Sequence, residues 1–347
     1  MVEKTEEATG EKNMPAVNSN ILVDKIIESI QLSGGNAVHI SEKGKSHPRI
    51  FMVNNFDVNY SIWVYIWTLT HGGRVSLPNE FRIQMTSVSS PLPMNPKGIT
   101  VLMGYHPDLQ VFAGFDLTRH KTFTVGSPSV QIDISALQNA LQNGLSFIKK
   151  DNDEIAVGIR PDQFLSYCIN AEQLHIYGAE TDLMSILNRA VELEDINDEI
   201  TTFNAERKRI ISNIYKLSRN ANFRCMVLNA YENRCAVTRM QLRLVDAAHI
   251  LPVASEESND LITNGIALSP TLHRAYDNCL IFLDEQYYVR LNEQKAEELI
   301  SLHLDGGFNQ LKSFINKKIH LPHDCNQRPN IEYIKKANMF RRIPGYY

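Results

Sequence analysis

His249, Asn264 and His273 are spaced to do chemistry together. They lie in 245-VDAAHILPVASEESNDLITNGIALSPTLHRAYDNCLIFLD-284, where an apolar strand-like run ends in a histidine. A turn-rich loop then closes on Asn-Gly, and a short helix carries a second histidine. That order of parts can set a general base beside a divalent cation, as hydrolysis of a phosphodiester requires. A neutral imidazole can deprotonate water because its ordinary pKa, about 6.5, lies near working pH. A hard divalent ion with open positions stabilises the phosphate and the departing oxygen. Each residue alone has a plainer reading: His249 as a hydrogen-bonded core histidine, Asn264-Gly265 as a turn, His273 as a surface helix residue. Their joint spacing favours the chemistry.

A hairpin packed on one helix can hold base and ion in a compact frame, and the flanking sequence supplies its parts. FRCMVLNAY reads as a helix, CAVT and LRLVDAAHIL as strands, and CLIFLD with YYVRLNE as a strand pair. Helical patterns at 294–303 and 307–317 precede a basic tail. Upstream, 22–32 has helical spacing. Between Arg49 and about Ile134, RIFMVN, YSIWVYIWTLT, EFRIQMTSV, GITVLMGY, QVFAGFDL and SVQIDI are rich in β-branched and aromatic residues and are separated by turn signals. A helix is expected over 135–148, then a short strand IAVGI and a helix from about Pro161. Leu193, Ile196, Ile200, Phe203, Ile210, Ile214 and Leu217 form an apolar stripe interrupted at Arg207. The stripe reads as a helix packed on its own domain, or as one that links domains or pairs across a dimer. The expected class is α+β. A disordered leader (1–20) precedes an N-terminal domain (21–190) on a mostly antiparallel sheet. A long helical connector (191–218) leads to a C-terminal domain (219–347) with a helical extension.

Four fragments in order, 231-YENRCAVT-238, 246-DAAHILP-252, 263-TNGIALS-269 and 272-LHRAYD-277, resemble the HNH nucleases of the ββα-metal class. The resemblance is closer to their restriction-type members and covers about residues 219–290, with weaker similarity through LPHDCNQRPNIEYI. It implies a C-terminal ββα-metal fold that cuts DNA. It implies His249 as the general base, Asn264 as the brace of the hairpin that helps orient the base, and His273 as a metal ligand. Gly265 is expected in a turn with positive φ. Asp277 follows His273 by one helical turn and shares its face, so the two can chelate one ion. There is one departure. Many members carry an acidic or histidine ligand just before the base, where this chain has Ala248. Asp246 is the nearest carboxylate, about 6–7 Å further back along an ideal strand. It either ligates the metal, if the strand bends there, or orients a histidine. The implied ion is Mg²⁺ or Mn²⁺.

Such a nuclease unit has little sequence preference of its own, so the N-terminal domain is expected to select a sequence or a modified base. Expected DNA contacts are Arg274, Arg219, Arg224, Arg119 and Lys121, with Lys43, Lys45, Arg49, Arg82 and His120 as further candidates. Arg82 and Lys121 read equally as ordinary surface charges. Tyr60, Trp63, Tyr65 and Trp67 can stack on an extruded base or pack the core beside their strand. Tyr276 packs its helix or touches phosphate. Cys235 and Cys279 read as core residues.

With 347 residues and 43% hydrophobic content, the chain can bury two cores. No apolar run approaches the roughly 20 residues that span a bilayer, and the polar N-terminus lacks a signal core. Five scattered cysteines without a CxxC pair argue against structural zinc and disulfides. They read as free, mostly buried thiols in a reducing, cytoplasmic compartment. A net charge of −4 is unusual for a DNA binder, yet basic residues collect at 207–224 and in the tail. The expected partner is double-stranded DNA, modified or not. One such site cuts one strand, so a double-strand break implies a homodimer, for which the 193–217 stripe is a candidate interface. Two other readings stay open: a signal- or partner-activated non-specific nuclease, and a DNA reader that has lost catalysis, which Ala248 would suit.

Overall fold

Alternation along one strand organises the N-terminal half. In the chain's computed structural model Ile62, Val64 and Ile66 are buried on one face of a strand, and Tyr65 is buried on the other. A strand buried on both sides must be central. The structure describes residues 17–41, 44–55, 58–74, 76–124, 126, 128–177, 180–194, 196 and 203–346. The expected leader through residue 16, Lys43 and Ile200 lie outside them. By its contacts the chain divides into Met1–Ala221 and Asn222–Tyr347, so the expected connector 191–218 belongs to the first unit.

The first unit contains β1 (Asn36–Ile40), β2 (Arg49–Asn55), β3 (Val58–Thr68), β4 (Thr70–His71), β5 (Glu80–Gln84), β6 (Ile99–His106), β7 (Val111–Phe115), β8 (Ser129–Asp133), β9 (Leu145–Lys149) and β10 (Ile155–Ile159). Among the described residues, seven of these form a sheet in the order β1-β2-β3-β6-β7-β10-β9. Every pairing is antiparallel except β3 with β6. Its first face packs on α1 (Ser19–Leu32), through Leu22, Ile26 and Ile30, and its second on a smaller sheet, β4-β5-β8. The helices α2 (Leu117–His120), α3 (Ile134–Asn143), α4 (Phe164–Tyr177) and α5 (Thr181–Val191) lie in the same unit. The helix expected over 135–148 is really α3 followed by β9. Gly144, at φ 90°, ends α3 by returning its N–H to Ala140. The strand β1 follows a glycine pair and was not expected.

The apolar stripe does not lie on one helix. Leu193 sits in a turn at φ 61°, and α6 starts only at Ala205, running unbroken to Ala230. Ile210, Ile211 and Ile214 are buried with α5 in the first unit's core. Ile210 and Ile214 of the stripe are thus packed within their own unit, while Leu193, Phe203 and Leu217 are half-buried.

In the second unit Phe223 and Val227 of α6, with Tyr231 just beyond it, pack beneath a hairpin of β11 (Asp246–His249) and β12 (Gly265–Leu268). The hairpin leads into α7 (Pro270–Asp277), which adds Leu272 and Tyr276 to that core. This is the ββα arrangement. A second hairpin, β13 (Ile281–Leu283) with β14 (Val289–Leu291), precedes α8 (Glu293–Ser301), α9 (Phe308–Lys312) and α10 (Ile331–Phe340). The basic tail is thus largely helical, with Ile334 and Ala337 in the core. CAVT forms a turn, not a strand, and Leu242 and Arg243 adopt positive φ, so the expected strand shortens to β11. Of the five cysteines only Cys168 and Cys235 are buried; Cys225 and Cys279 are half-buried and Cys325 is exposed.

Candidate active site

The hairpin register delivers His249. It is the last residue of β11 and pairs with Gly265, the first of β12. Gly265 is extended, at φ −119°, so positive φ is not its purpose. A Cβ there would stand 2.2 Å from Cγ2 of Val227, and the glycine lets α6 approach the hairpin. One turn earlier on α6, Phe223 stacks on His249 with centroids 3.8 Å apart and planes 10° apart. The imidazole Nε2 lies 2.9 Å from Oδ1 of Asp260. A proton on Nε2 satisfies that carboxylate and leaves Nδ1 as the basic nitrogen. Asn264, fully buried, ties the intervening loop to the hairpin. Its Oδ1 accepts from Leu251 N–H at 2.8 Å, its Nδ2 donates to the Asn259 carbonyl at 2.9 Å, and its own carbonyl accepts from Ile250 N–H.

His273 lies on α7 between two carboxylates. Nδ1 is 3.4 Å from Oδ2 of Asp246, and Nε2 is 3.3 Å from Oδ2 of Asp277. Arg224 holds the other Asp246 oxygen at 3.5 Å and the Val245 carbonyl at 3.4 Å. The hydrogen bond with His273 outweighs burial and, with the Arg224 charge, holds the Asp246 carboxyl below the usual carboxylate range. Ala248 points into the core rather than toward these groups.

His249, His273 and Asp277 line one cleft of about 630 Å³, together with Cys279, Arg341 and Arg342. Arg341 comes from just beyond α10. It is buried over the Tyr276 ring at 4.2 Å, donates to the Ile250 carbonyl at 2.7 Å and stands 4.0 Å from Asp277. Among the described residues no group of three His, Cys, Asp or Glu side chains is disposed to hold an ion. The donors at hand are Nε2 of His273 and the Asp277 carboxylate. Two such donors fit a hard divalent ion that keeps several water or phosphate oxygens, as Mg²⁺ does. Asp246, on the opposite ring nitrogen, is placed to orient His273.

The other expected contacts are dispersed. Arg224 is engaged with Asp246, and Arg274 lines a different cleft with Leu272 and Phe314. Arg219 lies over Tyr215 in the first unit. Arg119 bonds the Asn152 carbonyl and Asp116, and Lys121 borders a pocket with Asp116 and Tyr167. The Tyr276 hydroxyl is buried and donates to the Ile250 carbonyl, which makes it a packing residue. Cys279 lines the cleft rather than filling the core. Sequence reasoning missed Asp260 and Phe223 and saw Arg341 only as tail charge. Asp260 had one local signal, its place four residues before Asn264. Arg341 had none.

Residues 235–284 match the family model described as HNH endonuclease, and residues 60–168 match the one described as Methylase-associated X1. The chain therefore carries an HNH endonuclease domain behind a domain of the second family. Among solved structures it is similar to one titled "Modification dependent TagI restriction endonuclease", at 10% identity and TM-score 0.29, over 81% of this chain and 82% of that one. No curated protein matches. Among the described residues no helix is long and apolar enough to cross a membrane.

Proposed function

We propose that the chain is a divalent-metal-dependent DNA endonuclease of the restriction or phage-defence kind. The convergence of His249 from a strand end with His273 and Asp277 from one helix face carries this reading. His249 takes the proton of the attacking water on Nδ1 while Asp260 holds Nε2–H. Asp246 sets the His273 ring, and His273 with Asp277 holds Mg²⁺ or Mn²⁺. When bound, such an ion supplies positive charge to the phosphate and the leaving oxygen. Arg341 balances Asp277 and offers a second cation to the phosphate. Asn264 keeps the loop closed under the base.

The N-terminal unit selects the DNA. The description of the family matched at 60–168 associates that family with methylases, which supports a target distinguished by modification. Cutting both strands takes two such sites, hence two copies of the chain. The test is digestion of modified and unmodified phage genomes with Mg²⁺ or Mn²⁺, followed by sequencing of the ends. His249→Ala is expected to lower the rate by about 10²–10⁴-fold. Undiminished cleavage by that variant refutes the assignment. Tight binding without cutting in either metal marks a reader, and cutting only after a small ligand is added marks an effector.

A further inference from the structure

The aromatic face of β3 is only partly used for packing. Trp63, Tyr65 and Trp67 share that face by strand alternation. Tyr65 is buried in the second core and donates its hydroxyl to the Pro93 carbonyl at 2.8 Å. Trp67 packs against the same core and donates its indole N–H to the Thr86 carbonyl at 3.3 Å. Trp63 belongs to neither core of its unit and is half-buried. It lines a cleft of about 370 Å³ with Lys45, His47, Tyr65, Ser87 and Ser89.

One wall of the cleft is itself a flat heterocycle. The His47 ring stacks on Trp67 at 4.2 Å and faces Tyr65 at 6.3 Å with a 21° tilt. Its Nδ1 lies 3.4 Å from Nη1 of Arg49, a guanidinium that also donates to the Ile66 carbonyl and Ser19. Because Arg49 can only donate, Nδ1 accepts and the His47 proton sits on Nε2. Burial, with Arg49 second, lowers the His47 pKa to about 3, so the ring is neutral at working pH. The lining thus offers an indole face, a neutral imidazole N–H donor, two hydroxyls and a lysine. Those groups match a flat ring with polar edges and a phosphate attached.

We propose that this cleft receives a single nucleobase turned out of a DNA duplex, stacked on Trp63 and read along its edge by His47, Ser87 and Ser89. The proposal rests on the reading of the N-terminal unit as the part that selects DNA. Stacking on an aromatic face tolerates any base, so identity is set at the edge. Extrusion costs least where the base is already unpaired. The same chemistry would suit a free nucleotide, and the experiment separates the two.

The full-length protein is titrated in EDTA, where hydrolysis does not enter, with duplexes carrying A, C, G, T or 5-methylcytosine opposite an abasic site and with the fully paired duplexes. The expected result is tighter binding of at least one abasic-opposed duplex than of its paired counterpart. Trp63→Ala should weaken that complex by about 5- to 150-fold. Trp63→Phe should restore most of the preference, and thermal melting should show both variants folded. Binding without preference, or a preference untouched by Trp63→Ala, overturns the cleft while leaving DNA selection standing. No binding to any duplex overturns DNA selection and the cleft with it. Trp63-dependent binding of nucleoside monophosphates, with no duplex preference, overturns extrusion in favour of a free ligand.

Discussion

Replacing Asp260 by Asn tests whether the carboxylate acts through His249. The Nε2–Oδ1 contact is 2.9 Å long, and the two side chains are only 16% and 17% exposed, so it is largely shielded from water. A hydrogen bond to a charged group contributes about 1.5–3 kcal/mol. If all of that is felt when His249 becomes imidazolium in the transition state, the rate falls about 10- to 150-fold. An Asn amide can also donate to Nε2, which moves the proton to Nδ1 and removes the basic nitrogen, as an amide in place of a carboxylate does in a Ser-His-Asp triad. The assay is single-turnover cleavage of DNA at saturating metal, with thermal melting to confirm folding. Asp260→Glu should recover part of the rate. The double variant with His249→Ala should be no slower than His249→Ala alone, because two residues that act as one unit are not additive. A wild-type rate for Asp260→Asn refutes the reasoning, as does a double variant slowed by the product of the single effects.

Gly265→Ala should destabilise the protein by about 1–3 kcal/mol, since its Cβ would fall 2.2 Å from Val227. Because Gly265 is the register partner of His249, cleavage should fall as well; an unchanged urea midpoint counts against the close approach as the reason for glycine. In the N-terminal unit Glu154 is bonded to His120 at 2.7 Å and to Lys150 at 3.2 Å. Burial alone would raise its pKa, but the His120 hydrogen bond and the Lys150 charge bring it down to about 2. A depressed carboxyl stabilises fully above its ordinary pKa of about 4.3 and loses that contribution as pH falls through the folded value. Urea midpoints of wild type and Glu154→Gln should therefore differ most above about pH 4.3 and narrow as pH falls toward about 2. A gap as wide at about pH 2 as above about pH 4.3 contradicts the assignment.

Strands β2, β3 and β5–β8 were legible because β-branched and aromatic residues cluster between strong turn signals. The split at Gly144 was not, since apolar residues on both sides of it (Leu137, Ala140 and Leu141 before, Leu145 and Ile148 after) satisfy a helical period, and only the conformation of the glycine shows the break. Leu193 and Ile196 mimic a continuation of the stripe on α6 because apolar spacing survives a turn, with Ile196 buried in the same core. At the site, His249, Asn264, His273 and Asp277 were legible as a local order, since one hairpin and one helix hold them all. Asp260 was hidden in the turn-rich loop, where a carboxylate also reads as solvated charge. Arg341 reaches the cleft from 64 residues beyond Asp277, and only folding of the tail reveals the neighbour. Gly265 shows the reverse case: the right residue was singled out, but the reason lies in a helix roughly forty residues upstream.

Phe223 has a consequence for dividing the chain. A cut near residue 219, where the nuclease-like fragments begin, would place Phe223 within the opening turn of a shortened helix. Opening-turn amides have no partners inside their helix, and a short helix end frays. The ring on which His249 rests would then be among the first to loosen. A C-terminal half released from its neighbour must therefore carry back a polar stretch of α6 that touches nothing in the cleft, yet keeps the wall behind His249 upright.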